Sequence, residues 1–403
     1  MLWGGDVGEL TATLKFRVSP EPSLLSLVDR YVDALRYSVN WIIDHRELRL
    51  SRVHRALYNV LRERYGLPSR IAVDCYREAI AVAKSWFRNP RRGRRLVIRR
   101  KRMWLTPNLS YRLDLANMTV YVTGAGNVKI VGYPSNMGEY LNWSIREARL
   151  VVRENGVFLH VVVKNHVEDP TPSMRAIAVD VNEHEVVYGY HNVIARDRTR
   201  VEDCIRIKKH TERLQRKYSF GEYRAWMARK GILRRIKRLG VKIRSITNDF
   251  ARREAKKIVD FAIAHGKDTI LVEDLRNLNH NSRKLRKPWR ERLVYTTYRK
   301  FLWWIEWEAR KHGLAIVKVD PRGTSTTCPY CHAKMVSTGY RRLRCPRCRF
   351  EADRDTIAVL NLISKHVSRM GGSLTTPTAP QMKDVAPNRC GEPMNPLKGT
   401  LAL

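Results

Sequence analysis

Residues 324–361 read TSTTCPYCHAKMVSTGYRRLRCPRCRFEADRDTIAVLN, and the remainder of the chain is understood from this stretch. Cys328-Pro-Tyr-Cys331 and Cys345-Pro-Arg-Cys348 form two CxxC pairs with thirteen residues between them. A CxxC turn sets two thiolates on one side of a tight loop. Two facing turns make a tetrahedral four-sulfur cage suited to zinc. Thioredoxin-like redox chemistry needs one CxxC after a strand, not two facing pairs. Four sulfurs leave no open coordination position, so the expected role is structural, and His332 beside the second ligand is read as a surface residue. Cys75, Cys204 and Cys390 stand alone, which is no disulfide framework and points to a reducing compartment. Directly after the cage stand Asp353 and Asp355, at the start of an apolar helix.

Two further acids end apolar strands. Ala176-Ile-Ala-Val179 runs into Asp180, and Thr269-Ile-Leu-Val272 runs into Glu273. Packing seldom asks for a carboxylate at the end of a buried strand, because an unpaired buried charge is costly. Three carboxylates on adjacent elements can hold two magnesium ions, one activating water and the other stabilising the leaving 3′ oxygen of a phosphodiester. Taken singly, each acid has an ordinary explanation: Asp180 and Asp274 as turn residues, Asp353 as a helix N-cap.

Charge narrows the partner. Of 403 residues, 77 are Lys or Arg and 39 are Asp or Glu, a net +38, while 43% are hydrophobic. The chain is therefore globular, and its unbalanced charge calls for a polyanion spread along most of its length. A thermophilic surface would balance Glu against Lys. No segment approaches ~20 uninterrupted apolar residues. The first nine residues carry no export signal, so a cytoplasmic protein is expected.

Along the chain, residues 10–18 alternate as a strand, residues 23–83 turn helical with a second helical stretch after Pro68, and a basic block leads into short β runs after Pro90. The expected organisation is a nucleic-acid-binding module over 1–172, β-rich with a helical insert at about 21–90. An α/β domain follows over 173–320, with a basic helical segment at about 203–265. Residues 321–350 form the ribbon, 351–370 a final helix, and the Pro-containing 371–403 a disordered tail.

The motifs, in this order, resemble the TnpB (OrfB) proteins of insertion-sequence transposons, relatives of the type V CRISPR effector nucleases. Ile177-Ala-Val-Asp180-Val-Asn182 is similar to the family's first acid motif, Leu271-Val-Glu273-Asp-Leu-Arg-Asn-Leu278 to its second, and Asp353-Arg-Asp355-Thr-Ile-Ala-Val-Leu-Asn361 to its third. Thr324-Ser-Thr-Thr-Cys328 resembles its ribbon, Leu14-Lys-Phe-Arg17 its opening strand and Asn40-Trp41 its first helix. The resemblance implies an RNase H-like (RuvC-like) nuclease domain with an inserted zinc ribbon, plus an N-terminal β-barrel-like module. It also implies Asp180, Glu273 and Asp355 as catalytic magnesium ligands, with Asp353 as the helix cap. Two departures stand out. Ile357 and Val359 occupy positions where the family has Asn and a small residue, and Asn182 stands where many members carry Gly.

The implied partners are a guide RNA and target DNA, with no membrane and no small-molecule substrate. Arg91, Arg92, Arg94, Arg95, Arg99, Arg100, Lys101 and Arg102 form a phosphate-binding stretch, with Trp86 and Trp104 as stacking surfaces. Arg206, Lys208, Lys209 and Arg213 are placed to line a channel for the guide–target heteroduplex. Trp303, Trp304 and Trp307 are read as packing. The leading function is an RNA-guided, metal-dependent DNA endonuclease. A guide-bound regulator that does not cut would have lost an acid, and all three acids are present, although Ile357 keeps that alternative open. A plain zinc-ribbon binder leaves the ordered acids unexplained.

Overall fold

Strand β1 (Glu9–Val18) buries Leu10, Leu14, Phe16 and Val18 on one face, as alternation with period two demands. The computed structural model describes residues 8–90, 96–217, 230–275 and 298–372. Its contacts divide the chain between His166 and Val167.

In the first unit, β1 pairs antiparallel with β7 (Gly156–His166), Glu9 opposite His166 and Val18 opposite Val157. With β2 (Arg102–Leu105), β3 (Tyr111–Asp114), β4 (Thr119–Val122), β5 (Gly126–Gly132) and β6 (Ser144–Arg153) they form one seven-stranded sheet in the order β2-β6-β7-β1-β5-β4-β3. The strands expected in a barrel-like module thus form a sheet whose pairing order ends at β2 and β3. Three helices, not two, lie between β1 and β2 among the described residues: α1 (Pro22–His45), α2 (Leu50–Glu63) and α3 (Ser69–Arg88). Each buries one stripe: Leu27, Tyr31, Leu35 and Val39 on α1, Val53, Leu57 and Leu61 on α2, and Ile71, Cys75 and Ala79 on α3. Of two buried acids of α3, Asp74 ties the insert to the connection between β2 and β3, and Glu78 ties α3 to α1. Asp74 accepts from the hydroxyls of Thr106 (2.7 Å) and Ser110 (2.6 Å), and Glu78 accepts from the Tyr31 hydroxyl (2.8 Å).

The second unit carries a mixed five-stranded sheet. β8 (Ala176–Val181), β9 (Glu185–Tyr190) and β10 (Val193–Arg198) run as an antiparallel meander. β11 (Thr269–Glu273) and β12 (Ala315–Val319) add in parallel, giving the order β10-β9-β8-β11-β12. Alternation splits the sheet into two faces. Ile177, Val179, Ile270 and Val272 pack with Ala255 and Ile258 of α5 (Ile232–Ala264) and with Phe301 and Ile305 of α6 (Tyr298–Lys311). On the other face, Ala176, Ala178 and Leu271 pack with Val359, Leu362 and Ile363 of α7 (Arg354–Arg369). Before α5, the helix α4 spans Val201–Lys217. Trp307 of α6 is buried and meets Trp304 edge-on at 5.8 Å, so these rings do pack.

A small sheet, β13 (Val336–Gly339), β14 (Arg342–Arg344) and β15 (Glu351–Asp353), precedes α7 and runs three residues past the expected end of the ribbon. β15 leads straight into α7, so the helix is tethered to the ribbon at its first residue. Among the described residues, no helix is long and apolar enough to cross a membrane.

Candidate metal centres and their carboxylates

The two CxxC knuckles have the same local construction. In each, the first cysteine's N–H donates to a carbonyl five residues on: Cys328 to Ala333 (2.9 Å) and Cys345 to Phe350 (2.8 Å). The residue after the second cysteine, His332 or Arg349, donates back to the first cysteine's carbonyl at 3.1 and 3.0 Å. Both of these residues sit in the left-handed region, at φ 59° and 62°. His332 therefore has a backbone task in closing its turn. The four Sγ atoms lie within 4.8 Å of one another, Cys328 to Cys348 at 3.5 Å and Cys331 to Cys345 at 3.3 Å. A tetrahedron with ~2.3 Å zinc–sulfur bonds has edges of about 3.8 Å. Donor set and spacing suit a structural zinc ion.

Parity places the acids. Asp180 follows Ala176 and Ala178 on the α7 face of β8, and Glu273 follows Leu271 on the same face of β11. Val179 pairs with Val272, so the two acids stand side by side at the C-terminal ends of neighbouring parallel strands. Asp355, in the first turn of α7, comes down onto that face. Burial, then the charges of Glu273 and Asp355, push the Asp180 carboxyl well above its usual range. Burial also raises Glu273, against the Thr324 hydroxyl, which donates to Glu273 Oε1 at 2.9 Å. Glu273 and Asp355 thus both act on the buried Asp180 carboxyl.

Several residues that act on this site were not read from the sequence. Asn182 donates from Nδ2 to Asp355 Oδ2 (2.9 Å), while its Oδ1 accepts the N–H groups of His184 and Glu185 (2.8 and 2.9 Å). Arg341, in the β13–β14 turn, grips both carboxylate oxygens of Asp355. Asp353, by contrast, caps α7 as its sequence position implies, accepting the Asp355 N–H at 2.9 Å. Arg196 of β10 bridges Asp353 (3.2 Å), Glu185 (3.2 Å) and the Thr356 hydroxyl (2.6 Å). Among the described residues, the acidic group whose oxygens all lie within 4.8 Å of one another is Glu185, Asp353 and Asp355, and not the expected three. Burial, with Asp355 and Asp353 nearby, raises Glu185 in spite of Arg196.

Ile357 lies elsewhere. It is fully buried in the ribbon's own apolar cluster, with Cys328, Met335, Cys345 and Ala352. Val359 packs on the sheet instead. Asn361 donates to the carbonyls of Thr324 and Thr327 (2.6 and 2.7 Å), pinning the turn that enters the ribbon.

The basic residues divide. Arg91, Arg92, Arg94 and Arg95 lie outside the described residues. Arg99, Arg100, Lys101 and Arg102 line an open groove of about 1210 Å³ together with Arg149, Arg153 and His160. Within it, Arg102 is held by the buried Glu78 (3.3 Å) and Lys101 by Asp29 (2.6 Å), so part of that run is structural. One face of Trp104 is covered by Arg149, 5.1 Å from the ring centre. On α4, Arg206, Lys209 and Arg213 are exposed along one stripe, whereas Lys208 is half-buried and pairs with Glu212 (3.4 Å).

A family described as "Cas12f1-like, TNB domain" matches residues 298–362. A TnpB-like protein of Methanocaldococcus jannaschii is 26% identical over 259 residues, 61% of this chain and 86% of that one. This chain is a TnpB family member. A CRISPR-associated endodeoxyribonuclease, Cas12f1 of Sulfoacidibacillus thermotolerans, is 28% identical over 160 residues, 39% of this chain and 36% of that protein. The chain is thus also related to the type V effectors. Among solved structures, a Cas12f1–sgRNA–target DNA complex aligns over 89% of this chain and 100% of that one, at 17% identity and a TM-score of 0.34. A mini-RNA-guided endonuclease, CRISPR-Cas_phi3, aligns over 92% and 94%, at 9% identity and 0.42.

Proposed function

We propose that this TnpB family member is an RNA-guided DNA endonuclease with an RNase H-like (RuvC-like) centre, cutting guide-complementary DNA beside a short target-adjacent motif. The observation that carries the proposal is the convergence of Asp180, Glu273 and Asp355 on one face of the sheet, from three elements far apart in sequence. Magnesium bound there supplies the Lewis acidity for phosphodiester hydrolysis. Asp180 and Glu273 would hold it from the strand ends, and Asp355 would complete the site from α7. Asn182 fixes the orientation of Asp355, and Thr324 that of Glu273. The groove at Arg99 and Arg100 and the stripe at Arg206, Lys209 and Arg213 offer phosphate contacts for RNA and heteroduplex.

The test is a cleavage assay with the RNA that copurifies with the protein, in magnesium or manganese. Wild type is expected to cut matched DNA, and Asp180→Ala, Glu273→Ala and Asp355→Ala to lose orders of magnitude in rate with target binding nearly intact. Asp353→Ala is expected to be far milder, the loss of a cap worth about 1 kcal/mol. A wild type that binds its target and never cuts it would make the chain a guide-bound regulator.

A further inference from the structure

The segment that leads into β2, residues 98–102, is fastened to the helical insert at three points, and its last four residues line the basic groove. Arg36 of α1 donates from Nε and Nη2 to the Ile98 carbonyl (3.2 and 3.1 Å). Asp29 of α1 pairs with Lys101 (2.6 Å), and Glu78 of α3 pairs with Nε of Arg102 (3.3 Å). The first two ties lie at the surface, where water and salt screen them; Asp29 and Lys101 are each 53% exposed. The third is different, because the Glu78 side chain is only 2% exposed. Its Oε2 accepts from the Tyr31 hydroxyl (2.8 Å), and its Oε1 receives no hydrogen bond. Among the described residues, Arg102 is the cation that balances it. A buried carboxylate stripped of its cation is costly, so Arg102 is not free to swing away toward a ligand.

A guanidinium has more than one edge to offer. With Nε against Glu78, neither Nη of Arg102 makes a hydrogen bond among the described residues, and Arg102 is still part of the groove wall. Arg99 and Arg100 line the same groove as exposed side chains with no such anchor. Loose cations grip a phosphate backbone wherever it passes, whereas a fixed one grips it at one place and so sets its register. We infer that Glu78 is a positioning residue for RNA in this groove: it pins Arg102 from behind, so that the free edge of the guanidinium receives one backbone phosphate. This rests on the reading of the groove as an RNA surface, which has its own arm in the experiment.

The full chain, freed of any copurified RNA in high salt, is titrated with a fluorescein-labelled single-stranded RNA of about 20 nucleotides, long enough to cover one binding site. Melting temperatures are recorded for each variant. By charge alone, Glu78→Gln removes a negative group beside a polyanion, so affinity holds or rises. By positioning, affinity falls about tenfold, the loss of one charge-assisted phosphate contact, although Glu78 never touches the RNA. Arg102→Lys keeps a cation for Glu78 but lacks the second edge, so the fold survives and the same fall is expected. The double variant is expected to bind no worse than either single one, since both remove the same contact. Leu57→Ala, which opens a cavity elsewhere in the insert, is expected to lower the melting temperature and leave affinity within about twofold. A fall of less than about threefold in Arg102→Lys, or in Glu78→Gln where that variant folds, overturns the inference. So does a double variant whose losses multiply. If replacing Arg99, Arg100, Arg149 and Arg153 together by Ala leaves affinity unchanged, the groove reading itself falls, and the inference with it. If that fourfold variant binds weakly while Glu78→Gln binds as wild type does, the groove stands and the positioning role of Glu78 falls.

Discussion

Ile357→Ala separates the two jobs of α7. Ile357 is wholly buried among Cys328, Met335, Cys345 and Ala352, with Tyr330, Leu343 and Phe350 packed around them. Truncating a buried Ile to Ala costs about 2–5 kcal/mol, set by how far the cavity can collapse. This cluster is small and its outer members are partly exposed, so the low end applies, about 2–3 kcal/mol. A ribbon of this kind folds around its metal, so the loss is felt as weakened zinc binding. At 1.4 kcal/mol per decade, that is about 30- to 150-fold in affinity, read by competition with a chromophoric chelator. Val359→Ala is the control. It sits two residues on and packs against the sheet, so it is expected to lower the melting temperature and leave zinc affinity within about threefold. If Ile357→Ala holds zinc as tightly as wild type, the assignment of that face to the ribbon is wrong.

Glu254 on α5 is buried, and burial together with Asp197 raises its pKa to about 8, against the help of Lys257. The folded state then holds a proton that the unfolded state releases near 4.5, so this group's stabilisation is lost as pH rises through about 8. Between pH 6 and 8 the loss is roughly 2 kcal/mol, about 4–8 °C in melting temperature. Glu254→Gln is expected to flatten that decline in thermal melts across pH, and parallel declines would contradict the assignment. Replacing Arg99, Arg100, Arg149 and Arg153 by Ala is expected to make the slope of log affinity for RNA against log salt shallower by about 0.7 for each phosphate contact removed. An unchanged slope would make the groove a solvated surface. The same titration applies to Arg91, Arg92, Arg94 and Arg95.

Periodic burial was the legible part. Leu14, Phe16 and Val18, the two apolar strands leading into Asp180 and Glu273, and α6 over Tyr298–Lys311 all announce themselves, because one neighbour in two, or one in three or four, is apolar. β2 did not, because Arg102 and Trp104 hide the alternation of the buried Met103 and Leu105 at the end of a basic run. α2 was merged with its neighbours, since its three buried residues sit in a strongly polar helix. In the candidate site, residue types and order were readable, and the supports were not. Asn182 looked like a departure from a Gly position until its amide met Asp355, 173 residues away. Arg341 is one arginine among many in the ribbon, and only the hairpin's geometry separates it from the others. Ile357 looked like damage to an acid motif, whereas its neighbours are ribbon cysteines.

The placement of α7 has a consequence for the order of biosynthesis. Asp180 and Glu273 emerge from the ribosome well before Asp355, which follows the ribbon and starts the last described helix. The strand ends thus offer two acids for much of synthesis, and the third arrives only after all four cysteines have been made. A nascent or prematurely terminated chain carries the basic groove and the basic stripe of α4 without a complete carboxylate set. On the proposed nuclease function, chain order therefore acts as a safeguard, since partial products of translation lack one of the cutting acids.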